Sequence, residues 1–167
     1  MIKKLIAKYS IWLILLFVLG ISSVIKAVDG KDYITLSTAV FDFIQKGNTS
    51  LEGRFEYRLQ SANGDLKPFG GLMSNTEGAY HIYSGFYADI SLNSFLSFMP
   101  SFAPGLYFKG HSKDLYFKMV FRTQIELVVK LQGGIRMGVA FNHISNASFG
   151  KLNPGVESIA LIYYIPF

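Results

Sequence analysis

Three polar residues near the C-terminus have the types and the spacing of a hydrolytic site. His143 and Ser145 are two residues apart, and Glu157 follows 14 residues after the histidine. In a β-strand, residues two apart share a face, with their Cα atoms about 6.6 Å apart. Serine could then be a nucleophile, histidine its general base and glutamate the group that orients the imidazole. Because His-x-Ser alone is a weak motif, three solvated side chains are an equally simple interpretation.

The elements that must position these residues are β-strands with a period of two. In Leu51–Leu59 the odd positions are apolar or glycine, whereas the even positions are all charged. Leu115–Leu131 repeats this alternation, and turn-forming residues separate the runs. Seven such connections predict eight strands, at about residues 33–44, 51–60, 67–75, 79–90, 95–109, 115–130, 135–146 and 156–167.

The apolar faces of these strands favour a membrane barrel over a soluble β-sandwich. Half of the chain is hydrophobic, with 15 Phe and 10 Tyr, and the last strand alternates up to the terminal Phe167. An apolar strand of this kind would be an aggregation hazard at an exposed sheet edge. A closed barrel satisfies all backbone groups without water, and charged residues such as Glu56 and Arg122 then pair inside it. We therefore predict an all-β, eight-stranded antiparallel transmembrane β-barrel of the outer-membrane type.

In such a barrel the three polar residues lie on the lipid-facing side. His143 and Ser145 continue the odd-numbered row of Phe141, and Glu157 heads the row of Ile159. A charge on this face costs about 2–4 kcal/mol at the bilayer midplane but far less near the interface. With eight strands both termini share one side, which is the periplasm for an exported chain. The connection 146–155 is then expected at the cell surface.

The N-terminus has the features of an export signal. Lys3, Lys4 and Lys8 precede the apolar run 11–21, which is too short for a spanning helix of about 20 residues but suits a signal-peptide core. We predict a signal peptide over residues 1–27, cut after Ala27, and a barrel over residues 28–167; an uncleaved anchor is the alternative. Removal of this segment leaves 12 basic against 11 acidic residues. The resulting charge of +1 argues against nucleic-acid binding.

The remaining reactive side chains indicate no metal site. The chain has no cysteine, which excludes disulfides, cysteine nucleophiles and cysteine-ligated zinc. His81 is predicted to face the barrel interior and His111 to lie in a surface loop, each without partners at metal-ligand spacing. We therefore predict no metal site.

The C-terminal 25 residues resemble the lipid A 3-O-deacylase (PagL) family. The resemblance rests on His143-Ile144-Ser145-Asn146-Ala147, followed by Asn153, Gly155 and Glu157 at the family's distances. The aromatic strands and the terminal Pro166-Phe167 extend the similarity over much of residues 33–167. The family consists of eight-stranded barrels of the bacterial outer membrane, and the resemblance implies no cofactor.

The resemblance implies a role for each residue of the motif. Ser145 is expected to be the nucleophile, His143 the general base and Glu157 the acid that orients it. Asn146 and nearby backbone amides, at Ala147 and Ser148, are expected to form the oxyanion hole, and Asn153 is expected to position the loop. Ser148 departs from the family, whose members often have glycine at this place.

The substrate that the resemblance implies is lipid A, the membrane anchor of lipopolysaccharide in the outer leaflet. A nucleophile on the lipid-facing wall suits it, because its acyl chains need not leave the bilayer. Two alternatives stay open: an outer-membrane phospholipase or esterase of other specificity, and a catalytically silent structural or binding barrel. A homodimer is a further candidate assembly.

Overall fold

The computed structural model describes residues 32–60 and 65–167. The predicted signal peptide and the Asn63-Gly64 part of one predicted turn lie outside the described residues. The described chain contains β1 (Tyr33–Phe41), β2 (Ser50–Arg58), β3 (Leu66–Asn75), β4 (Tyr80–Ala88), β5 (Ile90–Ser91), β6 (Leu96–Phe98), β7 (Ser101–Phe108), β8 (Met119–Lys130), the 3-10 turn Gln132–Gly134, β9 (Arg136–Ser145) and β10 (Val156–Pro166). None of the described residues forms a helix long and apolar enough to cross a membrane.

These segments form eight antiparallel strands that close into a barrel. β4 and β5 are two parts of one strand, and β6 and β7 are two parts of the next. The break between β6 and β7 contains Pro100, which has no N–H to donate. The register is the same on both sides, with Phe86 opposite Phe102 and Ile90 opposite Phe98. β8 pairs with β9, and β1 pairs with β10 to complete the ring. The predicted eight-stranded antiparallel barrel is thus confirmed.

The two ends of the barrel differ in their connections. The first described residue, Asp32, and the last residue, Phe167, lie together at one end, where the Phe167 N–H donates to the Asp32 carbonyl at 3.2 Å. The opposite end, here called the distal end, carries the connections 42–49, 76–79, 109–118 and 146–155. Contacts link all four of these connections, and the His111 N–H donates to the Glu77 carbonyl at 2.9 Å. Lys113 Nζ contacts Asp42 at 2.7 Å, and the Gln45 amide donates to the Pro154 carbonyl at 2.8 Å.

Side chains alternate between a polar interior and an apolar outer wall. In β2 the even-numbered residues from Ser50 to Arg58 are buried, whereas Phe55 and Tyr57 are exposed by 48% and 40%. β8 and β10 show the same alternation. Large exposed apolar surfaces mark contact with another apolar phase, so the outward face is the one that lipid covers.

Ion pairs and aromatic rings fill the interior. Arg58 is fully buried and pairs with Glu56 at 2.6 Å and with Glu126 at 2.8 Å. Arg122 pairs with Glu56 at 2.8 Å, and the Tyr83 hydroxyl donates to the same carboxylate. A second set nearer the distal end consists of Arg54 with Glu52, Gln124 and Asn142. An eight-stranded barrel is just wide enough for side chains to fill it, and here they do so with matched charges.

One strand boundary differs from its prediction in a way that matters for the site. Alternation predicts that the sixth strand begins at Leu115, but β8 begins at Met119. Tyr116 has a φ of 57°, a left-handed conformation that a strand cannot contain. Leu115 turns inward and is 1% exposed instead of facing lipid. Residues 114–118 therefore form a bulging segment at the distal end.

The interior network predicts a large cost for removing a single charge. Arg58→Ala leaves Glu56 and Glu126 without their shared partner inside the barrel, which is expected to cost about 3–5 kcal/mol of unfolding free energy. Urea unfolding in lipid vesicles measures the loss. Lys151→Ala, in an exposed distal loop, is the control and should stay within about 0.5 kcal/mol. An Arg58→Ala barrel as stable as this control would contradict the stabilising role of the network.

Candidate active site

Strand pairing brings the histidine and the glutamate together. His143 in β9 lies directly opposite Glu157 in β10, and both side chains point outward, at a position where partners across strands are close. Nδ1 of the imidazole lies 2.9 Å from Oε1 of the carboxylate. The side chain of His143 is 39% exposed and that of Glu157 is 15% exposed. The other carboxylate oxygen is buried without a hydrogen-bond partner, so within residues 32–60 and 65–167 the imidazole is the one side chain that is hydrogen-bonded to this carboxylate.

A glycine supports the imidazole from the neighbouring loop. Gly155 has a φ of +60°, and a Cβ added there would lie 2.6 Å from Cε1 of His143. No side chain fits in that space, so the loop backbone itself packs against the ring. With Nδ1 held by Glu157 and Cε1 held against Gly155, the ring has one defined orientation. Nε2 is the nitrogen that is left to act on a substrate.

Ser145 occupies the next outward position of β9, at the end of the strand. Its side chain is partly exposed, and its partner across the strands is Phe121 of β8. Among the described residues Ser145 Oγ makes no hydrogen bond to His143; the only side-chain partner of the imidazole is Glu157. The structure therefore pairs two of the three predicted residues and places the third beside them on the same outward face.

The chain turns sharply directly after Ser145. The Phe149 N–H donates to the Asn146 carbonyl at 3.0 Å, and Ala147 and Ser148 between them have φ of 49° and 66°. Two positive φ values within such a turn define type I′, which favours glycine or asparagine. Ala147 and Ser148 are neither glycine nor asparagine, so hydrogen bonds of the neighbouring residues must hold the turn in this conformation.

The Asn146 side chain supplies those contacts from inside the barrel mouth. It is completely buried. Its amide nitrogen donates to the Leu115 carbonyl at 2.7 Å and to the Leu152 carbonyl at 2.6 Å, and its oxygen accepts the Ser148 N–H at 2.8 Å. The Asn146 N–H in turn donates to Oδ1 of Asn153 at 3.1 Å. All polar groups of the Asn146 side chain are thus engaged in holding the loop.

A groove extends from the imidazole along the outer wall. Its volume is about 360 Å³, and it follows β8 and β9 below His143. A second depression of about 260 Å³ continues it towards the termini, and the two share Ile125 and Phe141. Apart from Thr123 and His143, the outward-facing side chains in this groove are apolar. The residues lining the first part are Pro100, Ser101, Thr123, Gln124, Ile125, Phe141 and His143.

Other candidate ligand residues lie apart from this site. His81 is buried inside the barrel between Tyr83 and Tyr107, as its parity predicts. His111 is exposed in the connection 109–118. Residues 32–60 and 65–167 contain no group of three or more metal-ligating side chains arranged around one point.

Sequence patterns did not reveal two residues that shape the site. Leu115 was predicted to lie in a strand, but its carbonyl instead anchors Asn146. Phe149 is 67% exposed and packs on Phe117 and Phe121 beside Ser145. Turn-forming residues run from Gly110 to Asp114 and end directly before Leu115, and this was the only sign in the sequence that Leu115 lies outside a strand. Phe149 lies in no alternating run.

Comparison with known proteins supports the resemblance and the fold. Residues 32–166 match the family described as lipid A 3-O-deacylase (PagL). No curated protein matches the sequence significantly. Among solved structures, that of "the outer membrane enzyme PagL" is 16% identical, with 81% of this chain and 99% of that chain covered and a TM-score of 0.63.

Two further barrels have the same fold at lower identity. The Neisserial surface protein A is 8% identical, with 84% of this chain and 99% of that chain covered and a TM-score of 0.61. A de novo designed transmembrane β-barrel is 7% identical, with coverage of 84% and 100% and a TM-score of 0.60. At such identities the structures establish the fold alone.

The family match covers nearly all of the described chain, and the fold is the one expected from its strand pattern. The protein is a barrel of the bacterial outer membrane. On the match over residues 32–166, the chain belongs to the lipid A 3-O-deacylase (PagL) family.

Proposed function

We propose that this barrel is an esterase that removes the 3-O-linked hydroxyacyl chain from lipid A. The observation that carries the proposal is the 2.9 Å contact between His143 and Glu157 on the lipid-facing wall, beside Ser145. An imidazole held by a carboxylate is the arrangement that a serine nucleophile needs. A site that opens sideways also suits an ester whose acyl chain stays in the bilayer. Of the activities considered, lipid A deacylation agrees best with both features and with the family.

In the proposed reaction, Ser145 Oγ attacks the ester carbonyl while His143 Nε2 takes its proton. The tetrahedral intermediate collapses to an acyl-serine, and the sugar oxygen leaves with the proton from the imidazolium. Water then attacks the acyl-serine with His143 again as base, which releases the fatty acid and restores the serine. Glu157 stabilises the imidazolium in both steps. Ser145 Oγ must turn towards Nε2 when substrate binds, and catalytic hydrogen bonds commonly tighten only in such complexes.

The loop offers a limited set of donors for the oxyanion. Asn146 donates with its side chain and its backbone to other parts of the loop, and Ser148 N–H is bound by Asn146 Oδ1. We assign these two residues to positioning. The Ala147 N–H and Nδ2 of Asn153 donate to no other group in the described chain, and we assign the oxyanion to them. Donors fixed in advance stabilise the developing charge most strongly.

The groove along β8 and β9 gives the scissile chain a place to lie. It begins at His143 and continues past Ile125 and Phe141 towards the termini. An acyl chain there would run parallel to the strands, with its ester at the distal end near the nucleophile. An acyl chain that moves from the surrounding lipid into the groove stays covered by apolar surface, so binding does not expose it to water.

The homodimer stays a prediction, which cross-linking in membranes would test.

The first prediction concerns the nucleophile. Membranes containing the wild-type protein should yield lipid A that lacks the 3-O-linked chain by mass spectrometry, and Ser145→Ala should abolish this loss. Ser74→Ala is a matched control, since Ser74 is an outward-facing serine near the distal end of β3 on another part of the wall. Full activity of Ser145→Ala would overturn the mechanism. If wild type instead releases fatty acid from glycerophospholipids only, the alternative esterase is correct; no product from any lipid indicates a silent barrel.

The second prediction concerns the support of the imidazole. Gly155→Ala forces its Cβ against Cε1 of His143 and should reduce kcat/KM on the order of 100-fold, because a small misplacement of a catalytic group has effects of this size. Gly78→Ala is the control: its φ is +78°, but nothing lies within 4 Å of the added Cβ. Both variants carry a similar backbone penalty, so only the contact with His143 differs. Equal deacylation rates in the two variants would contradict the proposed role of the ring.

The third prediction concerns the turn after the nucleophile. A left-handed conformation costs an L-residue about 1–2 kcal/mol, and Ser148 is held there with a φ of 66°. Ser148→Gly should therefore raise the unfolding free energy by about 1 kcal/mol or less, since glycine loses more entropy on folding, and leave deacylation intact. Ser74→Gly, in an extended strand, should instead be destabilising. A Ser148→Gly protein that unfolds more easily than wild type would contradict the strain inferred here.

A further inference from the structure

A further depression, separate from the two that form the groove, lies on the outer wall on the other side of Ser145. It has a volume of about 840 Å³ and sits at the distal end between β7, β8 and the segment 114–118. The side chains that matter for its shape are Leu106, Phe108, Tyr116, Phe117, Lys118 and Met119. Most of them are apolar and strongly exposed, with Met119 at 48% and Leu106 at 44%. We call this depression the distal recess.

The distal recess is built by fixed contacts. Asp114 accepts hydrogen bonds from Lys109 Nζ at 2.6 Å and from the Tyr116 N–H at 2.8 Å. The hydrogen bond from Lys109 lowers the pKa of Asp114. The Tyr107 N–H donates to the Lys118 carbonyl at 2.8 Å. Because the carbonyl of the intervening Leu115 holds Asn146, the recess and the loop after Ser145 share one anchor.

The rim of the recess carries one cation without an acidic partner. Lys109 is paired with Asp114, whereas no carboxylate in the described chain pairs with Lys118. The Lys118 ammonium lies 5.9 Å from the centroid of the Phe108 ring, which attracts a cation but leaves its charge in place. An apolar depression with an ammonium at its rim is complementary to an acyl chain that ends in an anionic headgroup.

Aromatic rings connect the recess to the proposed nucleophile. Phe117 stacks on Phe149 at 6.3 Å between centroids, and Phe149 packs on Phe121 at 5.9 Å. Phe121 lies opposite Ser145 in the sheet. These three rings form a ridge, with the distal recess on one side and the groove of His143 on the other. Two acyl chains of one molecule could therefore straddle the ridge while an ester of one of them reaches Ser145.

We propose that the distal recess is a substrate subsite, in which a second acyl chain of a phosphorylated, multiply acylated lipid lies while Lys118 binds the phosphate. The inference rests on the proposed function, because it takes the scissile chain to occupy the groove of His143. It defines the substrate by two features, a phosphate and a neighbouring chain that is not cleaved. Lys118 acts here as a specificity-determining residue that is remote from the reacting atoms.

The kinetic test compares purified barrels acting on lipid A and on lipid A from which the phosphates have been removed. Lys118→Gln should raise KM about tenfold on the phosphorylated lipid with kcat unchanged, as expected for one charged hydrogen bond, and should have no effect on the dephosphorylated lipid. Lys118→Arg should preserve KM. Lys46→Gln is the matched control, since Lys46 is an exposed distal lysine outside the recess. Equal effects of Lys118→Gln on both lipids, or none on either, would overturn the subsite.

A binding test separates this inference from the proposed function. Native mass spectrometry in detergent, with Ser145→Ala as the background so that no substrate is consumed, measures retention of phosphorylated lipid A. Lys118→Gln and Leu106→Trp, which fills the recess, should each reduce retention about tenfold, whereas Lys46→Gln and excess inorganic phosphate should not. If wild type does not deacylate lipid A but these changes occur, the proposed function fails and the lipid site stands. If wild type deacylates but retention is unchanged, the subsite is wrong and the function stands.

Discussion

The need to pair every backbone N–H and C=O without help from water determines the rest of this structure. Within a bilayer this need can be met by closing the sheet on itself. Closure fixes the register of every strand pair, and register in turn fixes which side chains meet across strands. The contact of His143 with Glu157 is a direct result, because these residues are opposite each other in the ladder of β9 and β10. No flexible loop has to bring them together.

The same alternation divides the barrel into two chemical environments. The interior contains charges that neutralise one another, as in the contacts of Arg58 with Glu56 and Glu126. Near the distal end, the cluster of His143, Ser145 and Glu157 interrupts the largely apolar outer wall. Buried ion pairs contribute less to stability than their Coulomb attraction suggests, since desolvation opposes it. Their main effect here is to occupy the lumen, which agrees with placing the proposed site on the outer wall.

The barrel and the outward position of the site could be predicted from the sequence, because both follow from a strict period of two. The parity of His143 relative to Phe141 was sufficient to place it on the wall. The distal connections could not be predicted in this way, since tertiary contacts decide them. Tyr116 adopts a left-handed conformation that its residue type disfavours, and Leu115 turns inward to hold Asn146. The hydrogen bonds of Asn146 likewise depend on a segment some 30 residues earlier in the chain.

The sideways opening of the groove has a consequence for how the protein would meet the proposed substrate. A molecule that reaches His143 along the wall arrives by lateral diffusion within one leaflet, so the encounter takes place in two dimensions. The relevant concentration is then the mole fraction of substrate among the surrounding lipids, and the volume of the medium does not enter. The rate should therefore fall when other lipids lower the mole fraction of substrate in the leaflet, and it should depend on the fluidity of the leaflet. For the proposed reaction, the protein and the membrane in which it lies would thus form a single kinetic system.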